Sequence, residues 1–396
     1  MHKQKMHNKL INIIISNTRN AKLRYKILAG LLFVFIIWVI AIQFETYKYP
    51  DKEEIDKRLN YLERVVNEPL DNKSEIMQLK YESYEFMLFS YAYTAYAATN
   101  IATRDTLYRQ RAIYLIKECI DKALDRNIYS PYKVDEALIN SDSIPNFSVL
   151  YLGHLNLMMG CYRLLSEDNT FNSLNDKISA SLFRRYNETE FLNLESYSSA
   201  IWIPDNTVAL ASLKLHGSNT NSGYESVCYK WVEYAKKNYI DEETGVLYST
   251  VSSMSEKAEE EPRGSMLGWS IMFIYQFDKN FAIELYNNYK EHFSHEYFIF
   301  ILFKERSSIR GTADIDSGPI ILGYSIPANE FALGGAVIAE DYKTARKLER
   351  LINFGARKIC KNNEIRYKLR LINMNISPMA EALVLYSLTL TEWVVN

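Results

Sequence analysis

Hydrophobic and polar positions along the chain define two kinds of helical segment that alternate from residue 52 onward. Six segments are apolar on most sides, and they begin near Phe86, Phe147, Asp205, Arg263, Gly318 and Ser377. Six more polar segments carry a single apolar stripe, and they cover residues 52–66, 105–126, 171–186, 225–239, 279–304 and 342–360. The apolar segments recur at roughly 50 to 65 residues, a period typical of repeated supersecondary units. The pattern predicts six helical hairpins.

Pairing a helix that is apolar all round with a striped helix predicts two concentric rings, because the first must be covered and the second can face water. We therefore expect an all-α fold, an (α/α)6 toroid, over residues 45–396. Only 14 Gly and 9 Pro in 396 residues disfavour an all-β architecture. An open solenoid is the alternative, but the chain ends shortly after its last apolar helix, without the polar cap that a solenoid end needs.

The N-terminal residues have a different pattern. Residues 1–26 contain seven Lys and Arg and no acidic residue, and residues 27–44 then carry no charge until Glu45. The uncharged run is roughly 27 Å long as a helix, near the thickness of a bilayer core. It lacks the small-residue cleavage site of a signal peptide. We expect an uncleaved single-pass anchor, with a cytoplasmic basic tail and the main domain outside the cytoplasm, on the periplasmic side in a bacterium.

Charge, missing motifs and cysteine positions limit the classes of protein to which the chain can belong. The net charge of -2 conceals a body that is acidic by about nine charges, so a nucleic-acid partner is disfavoured. There is no P-loop, dinucleotide fingerprint, HExxH or G-x-S-x-G motif, so we expect no cofactor and no metal. The four cysteines form no C-x-x-C pair and lie in apolar stretches, which favours buried free thiols, although disulfides are permitted in an exported domain.

The loops that enter the six apolar helices are expected to open on one face, the mouth of the toroid. The chain also holds 30 Tyr and 18 Phe, enough to line a cavity with rings. A concave aromatic pocket with a few polar groups is typical of a small-molecule site. The candidate substrate-binding residues are Asn206, Tyr84, Tyr151, Trp202, Arg263 and Glu330.

Four residues are candidates for acid–base chemistry. His154 titrates near neutral pH, although a hydrogen-bonded core histidine is the alternative. Asp205, with its neighbour Asn206, opens an apolar helix, where one of the two can instead be an N-cap. Asp314 and Asp316 are two apart in a glycine-rich loop, so in an extended segment their carboxylates share one side and one pKa rises. Turn formation or cation binding are the other interpretations of that pair.

Five segments, in the same order, resemble the bacterial linalool dehydratase/isomerase family. The most specific is Leu152-Gly-His-Leu-Asn-Leu-Met-Met-Gly-Cys-Tyr162, which is similar to a GHLNLM helix of that family. The other four are Pro204-Asp-Asn206, Leu215-His-Gly217, Ile240-Asp-Glu-Glu-Thr-Gly-Val-Leu-Tyr248 and Gly311-Thr-Ala-Asp-Ile-Asp-Ser-Gly318. The resemblance spans roughly residues 145–340.

The resemblance implies an (α/α)6 fold outside the cytoplasm and acid–base chemistry on a small isoprenoid alcohol. His154 matches the family's histidine. The family's two cysteines flank the Pro-Asp-Asn loop and are missing here, since Trp202 and Ile203 precede the loop and the helix after it has no cysteine. The family's early acidic residue matches one of Asp51, Asp56, Glu82 and Glu85.

Three functions are compatible with these observations. The first is a lyase or isomerase of the linalool dehydratase/isomerase type, using His154 with Asp205, Asp314 or Asp316 on a small apolar or hydroxylated substrate. The second is a carbohydrate-active six-hairpin enzyme that uses two carboxylates. The third is a non-catalytic binding module.

Overall fold

The computed structural model describes residues 2–132, 148–255, 257–308 and 320–394, with side chains from residue 22 onward. The chain forms two compact units, residues 1–46 and 47–396. The first is a single helix, α1 (His2–Gln43). Its segment Lys22–Gln43 is long and apolar enough to cross a membrane, and side chains such as Phe33 are 63% exposed. These properties suit a single span or a signal anchor; the orientation stays a prediction.

The second unit is the predicted (α/α)6 toroid. The outer helices are α2 (Lys52–Val66), α4 (Arg109–Ala123), α7 (Asn172–Glu188), α9 (Ser226–Asn238), α11 (Lys279–Phe293) and α13 (Tyr342–Gly355). The inner helices are α3 (Tyr84–Arg104), α6 (Val149–Leu165), α8 (Ile203–Thr220), α10 (Gly264–Ile274), α12 (Ile326–Ile338) and α14 (Pro378–Thr389). A short helix α5 (Arg126–Tyr129) and three 3-10 turns lie in the connections. Helix α14 packs on α3, which closes the ring and excludes an open solenoid.

The sequence determines which ring each helix joins. In α2, Ile55, Leu59, Leu62 and Val66 recur at helical spacing and form one buried stripe. The helix begins where the Asp51 side chain accepts a hydrogen bond from the Glu54 backbone N–H at 2.8 Å. In α3, by contrast, every residue from 87 to 102 is buried. The striped helix therefore faces water, and the uniformly apolar helix is covered on all sides.

In the described part of the chain, three short antiparallel strand pairs were not predicted by the hydrophobic pattern. They are β1 (Ala200–Trp202) with β2 (Thr250–Ser252), β3 (Ser294–Tyr297) with β4 (Phe300–Phe303), and β5 (Ala356–Lys361) with β6 (Glu364–Leu369). The second and third pairs are hairpins, and they shorten the outer helices expected over 279–304 and 342–360. The β5–β6 hairpin has a physical signal in the sequence, because Asn362 and Asn363 both take positive φ, as a two-residue hairpin turn requires.

All four cysteines are free thiols. Cys119, Cys161 and Cys228 are buried in helices, and burial raises the pKa of each thiol. Cys360 is exposed, because its segment forms strand β5 instead of an apolar helix. The expectation of free thiols is confirmed, and the expected burial is wrong for Cys360.

The N-terminal ends of the six inner helices lie at one end of the toroid, the mouth. The chain enters this unit at the other end, where Tyr47 donates its backbone N–H to the Tyr342 carbonyl at 2.8 Å and its hydroxyl to the Leu388 carbonyl. At the mouth, Ser325 and Ser377 cap α12 and α14 through their hydroxyl oxygens. The first turns of the inner helices therefore converge on a shared space.

Candidate functional site

One layer of aromatic rings crosses the toroid near its mouth. Phe89, His154, Trp269 and Phe331 are each the sixth residue of their inner helix. At about 1.5 Å rise per residue, they lie roughly 7.5 Å below the mouth end. Ring centroids are 5.2 Å apart for Phe89 and His154, 4.9 Å for Phe89 and Trp269, and 5.4 Å for Trp269 and Phe331. We call these four side chains the aromatic layer.

Further rings continue the packing below the layer. Tyr93 follows Phe89 by one helical turn on the same face of α3. Its ring lies 5.6 Å from Trp269 and 5.5 Å from Tyr386. Phe273, one turn after Trp269, stacks on Tyr386 at 6.0 Å. With Tyr96, these residues and the aromatic layer form the aromatic cluster, to which five of the six inner helices contribute.

The close approach of α10 and α12 depends on a residue without a side chain. A Cβ atom at Gly268 would lie 2.7 Å from the Cβ of Phe331. Any larger residue at that position would push α12 away and separate Trp269 from Phe331. The aromatic layer therefore requires glycine there.

His154 is a neutral histidine in this cluster. Its side chain is fully buried, and burial lowers its pKa to about 3. Its Nδ1 lies 3.0 Å from the Tyr96 hydroxyl, which fixes the ring. One imidazole nitrogen, Nε2, is therefore buried without a hydrogen-bond partner in the described part of the chain.

Three more polar atoms of the cluster share that property. The hydroxyls of Tyr93 and Tyr386 and the indole N–H of Trp269 are buried without a hydrogen-bond partner in the described part of the chain. A buried polar group without a partner costs about 1 to 3 kcal/mol. Such groups call for a specific explanation, and four in one cluster suit a bound polar molecule.

Glu330 lies one residue before Phe331 in α12, on the mouth side of the aromatic layer. Its side chain keeps some solvent contact, yet surrounding protein desolvates the carboxyl group. This burial, followed by the negative charge of Glu381, raises the pKa of Glu330 to about 8. The carboxyl group therefore carries a proton at neutral pH.

Glu381, the fourth residue of α14, is a second shifted carboxyl group. Burial raises its pKa to about 7, although Arg58 opposes the shift. Its Oε2 lies 3.6 Å from Arg58 Nη1, and its Oε1 accepts the backbone N–H of Tyr367. Glu381 is thus held by an outer helix and a hairpin, and it acts on Glu330 through its charge.

Asp205 is the third residue of α8 and is buried. The N-cap of this helix is Trp202 and makes no side-chain hydrogen bond, so neither Asp205 nor Asn206 has the capping role considered above. After burial and the Tyr386 hydroxyl, Asp205 is the next contributor to the raised pKa of Tyr93. Its charge is therefore close to the aromatic cluster.

The Asn206 side chain has a structural role, because it forms hydrogen bonds to α7 and to the loop before α8. Its Oδ1 accepts from the Tyr186 hydroxyl at 2.9 Å and from the Leu194 backbone N–H at 2.8 Å. Its Nδ2 donates to the carbonyls of Leu194 and Trp202 at 3.0 and 2.8 Å. The side chain fastens the preceding loop to α8.

Arg263 forms a buried ion pair at the mouth. Its Nε lies 3.0 Å from Glu305 Oε1, and both side chains are at most 2% exposed. The hydroxyls of Ser265 and Ser325 donate to the same carboxylate, each at 2.7 Å. The Arg263 guanidinium also lies 5.7 Å from the Trp202 ring. The pair joins the starts of α10 and α12.

The remaining candidates are dispersed. Tyr84, the first residue of α3, is 54% exposed. Tyr151 is buried and donates its hydroxyl to the Ala123 carbonyl at 2.9 Å, toward α4. Asp314 and Asp316 lie outside the described residues. The structure thus places His154, Asp205 and Glu330 in the first two turns of three inner helices, at the mouth end of the toroid. Across the described ranges, no three His, Cys, Asp or Glu side chains are grouped to hold a metal ion.

Sequence reasoning missed several residues of this site. Trp269 and Phe273, like Phe89 and Tyr93, are four residues apart on apolar helices, and this spacing marks a shared face. Glu381 is an acid inside an otherwise apolar segment, which is itself a signal of a specific environment. Glu305 has no such signal, because only the fold brings it to Arg263.

Comparison with known proteins agrees with the fold. No family model matches the chain. An unsaturated glucuronyl hydrolase specific for heparin superposes with a TM-score of 0.54 at 12% identity, covering 85% of this chain and 95% of that chain. The GH76A alpha-1,6-mannanase from Salegentibacter sp. HEL1_6 superposes with a TM-score of 0.52 at 10% identity, covering 86% and 98%. An inactive variant of that mannanase, in complex with alpha-1,6-mannotetrose, gives 0.51 at 9% identity, again covering 86% and 98%.

The chain therefore has the same toroid as these carbohydrate-active enzymes. At such low identities the similarity establishes the fold alone.

Proposed function

We propose that the toroid is a carbohydrate-active enzyme that cleaves a glycosidic bond at its mouth. The observation that carries the proposal is Glu330, a carboxyl group that keeps its proton at neutral pH beside a layer of aromatic rings. Sugar rings present apolar faces that pack on aromatic side chains and hydroxyls that need hydrogen-bond partners. Phe89, Trp269 and Phe331 of the aromatic layer each keep 5 to 6% exposure, and the Trp269 indole N–H has no hydrogen-bond partner among the described residues. Structural neighbours that act on saccharides add support.

Glu330 is assigned as the general acid. It gives its proton to the bridging oxygen as the bond from that oxygen to the anomeric carbon breaks. Water then adds to the anomeric carbon and loses a proton to a carboxylate, a role for which Asp205 lies near the cluster. Exchange with solvent returns one proton to Glu330 and removes one from Asp205. Glu381 is a positioning residue, because its charge helps Glu330 to retain its proton.

Replacement of the acid tests the assignment. Oligosaccharides, including alpha-1,6-mannotetraose and unsaturated glucuronyl oligosaccharides, are screened for new reducing ends. With a substrate that is cleaved, Glu330→Gln lowers kcat about 100-fold or more, the usual contribution of a general acid. The kcat of the wild type falls above about pH 8, as Glu330 loses its proton.

The matched control is Glu233→Gln, which alters an exposed glutamate on outer helix α9 and leaves kcat unchanged. Wild-type turnover by Glu330→Gln would remove Glu330 from the mechanism. Absence of cleavage and of binding across the panel would refute the carbohydrate assignment itself.

A second candidate is a lyase or isomerase of the linalool dehydratase/isomerase type. The neutral His154, enclosed by apolar rings, favours it together with the GHLNLM resemblance. Glu330 would protonate the alcohol of an isoprenoid, water would leave, and the adjacent C–H proton would pass to His154 as the double bond forms. A carbocation releases that proton even to a weak base. Alkene formation from a terpenoid alcohol, detected by gas chromatography and lost in His154→Phe, would select this candidate over glycoside cleavage.

A further inference from the structure

A cavity lies on the mouth side of the toroid. It is bordered by the end of α7, the loop at residues 189–198, the residue before α6 and the β1–β2 strand pair. Its volume is about 720 Å³, within the range of sites that hold small molecules. We call it the mouth pocket.

Two buried polar atoms in the wall of the mouth pocket have no hydrogen-bond partner among the described residues. They are the Asn193 amide nitrogen and the Tyr132 hydroxyl. The orientation of Asn193 is fixed, because its Oδ1 accepts the indole N–H of Trp231 at 3.0 Å. The amide N–H groups therefore point away from Trp231, in a residue that borders the pocket. Asn193 is only 1% exposed, so these N–H groups have little contact with water.

The side chains that line the mouth pocket indicate which kind of molecule it would bind. Arg185 supplies a cation, but Glu188 and Glu195 border the same pocket, so the wall has no excess of positive charge for a phosphate or carboxylate. Several hydroxyl groups and three aromatic side chains complete it, namely those of Ser148, Ser196, Ser198, Tyr132, Phe191 and Tyr197. Mixed donors and acceptors with ring faces suit a neutral polyhydroxylated molecule.

One wall residue of the mouth pocket contacts the helix that carries His154. Tyr132 stacks on Tyr151 of α6 with centroids 5.2 Å apart, and α6 also carries His154. After burial and Glu85, the charge of Asp205 contributes to the raised pKa of Tyr132. The negative charge of Asp205 therefore acts on one aromatic residue of the pocket wall.

We infer that the mouth pocket binds the neutral sugar units of an oligosaccharide that extend beyond the bond being cleaved. The inference rests on the proposed function for the identity of the reaction, but the binding site itself rests on Asn193, Tyr132 and the cavity. It makes the protein selective for chain length.

Calorimetric titration tests the pocket without any need for turnover. Neutral oligosaccharides of two to six units, including mannotetraose, cellohexaose and maltohexaose, are titrated into the full-length protein carrying Glu330→Gln. Ser198→Trp places a large side chain into the pocket from an exposed position, and Asn193→Leu removes the amide. We expect each to weaken binding of the longest bound oligosaccharide at least 10-fold and binding of the disaccharide less than 2-fold.

The matched control is Ser226→Trp, at an exposed position on α9 away from the pocket. It leaves all dissociation constants unchanged. Because Asn193→Leu alters a buried residue, its circular dichroism spectrum and Tm are compared with those of the parent.

Equal affinity for long chains in Ser198→Trp and the parent overturns the inference, as does absence of binding by every oligosaccharide titrated. Length-dependent binding lost in Ser198→Trp, in a protein that cleaves no glycan, supports the pocket while refuting the proposed reaction.

Discussion

The aromatic cluster and the mouth pocket belong to one toroid, yet their physical surroundings differ. The cluster is buried and ring-lined, and burial shifts the pKa of His154 downward and that of the adjacent Glu330 upward. The pocket is more open and lined by hydroxyl, amide and charged groups. Burial tunes proton affinity in the first region, whereas the second presents varied hydrogen-bonding groups at a cavity wall. If both proposals hold, one scaffold keeps chemistry and recognition in separate regions.

The largest difference between the two regions is expected in their contribution to stability. Phe273 is fully buried in the aromatic cluster, whereas Tyr197 in the mouth pocket is 39% exposed. Phe273→Ala should lower the free energy of unfolding by about 3 to 5 kcal/mol, because a buried ring leaves a cavity. Tyr197→Ala should change it by less than about 0.5 kcal/mol. Urea denaturation of both variants measures the two values. Equal losses would contradict the description of the cluster as the packed region.

The pH dependence of stability should separate the two shifted groups of the central region. Glu330 holds its proton to about pH 8 in the folded state but only to about pH 4.5 when unfolded, so its contribution to stability is lost as pH rises between those values. His154 is neutral down to about pH 3 when folded but protonates near pH 6.5 when unfolded, so its contribution is lost as pH falls. Each slope approaches at most about 1.4 kcal/mol per pH unit.

Replacing each group isolates its slope. Glu330→Gln should flatten the fall in Tm toward pH 8, and His154→Phe should flatten the fall below pH 6.5. Thermal scans from pH 3 to pH 9 provide the measurement. The titration of Glu381 also contributes to the alkaline side, so the Glu330→Gln profile is compared with that of Glu381→Gln. An unchanged profile in either single variant would show that the group does not titrate as its burial requires.

The smallest expected effect concerns the polar atoms without partners. Tyr93→Phe removes a buried hydroxyl that has no hydrogen-bond partner among the described residues and should raise stability by up to about 1 kcal/mol. Tyr186→Phe is the matched change, since its hydroxyl donates to Asn206 Oδ1 at 2.9 Å, and it should cost about 1 kcal/mol. Chemical denaturation resolves the sign. A loss in Tyr93→Phe as large as in Tyr186→Phe would mean that the Tyr93 hydroxyl has a partner.

The architecture was predictable because burial has a clear signature in sequence. Uniformly apolar and striped helices alternate, and α2 begins and ends where the pattern places it, at residues 52 and 66. The strand pairs were not predicted because a strand forms only with a partner segment, which the local sequence does not reveal. In addition, the hydrophobic pattern of β3 or β5 is equally compatible with the end of a helix. The turn at Asn362 and Asn363 was the available local clue.

The site was less predictable, because it depends on distances between helices. His154 and Glu330 were recognisable as polar groups in apolar surroundings. The position of Trp269 beside them follows from equal depth on four inner helices, which the sequence shows only once each helix start is known. Arg263 was a candidate for substrate binding or a paired helix-end charge, and the structure pairs it with Glu305, a residue 42 positions away. The residues next to Arg263 in the sequence give no indication of such an ion pair.

The distribution of thiols has a practical consequence. Three cysteines are buried with raised pKa values, and Cys360 alone among the four is exposed, on a hairpin of the outer surface. A maleimide dye therefore has one native attachment point in the folded protein, and no cysteine has to be introduced or removed.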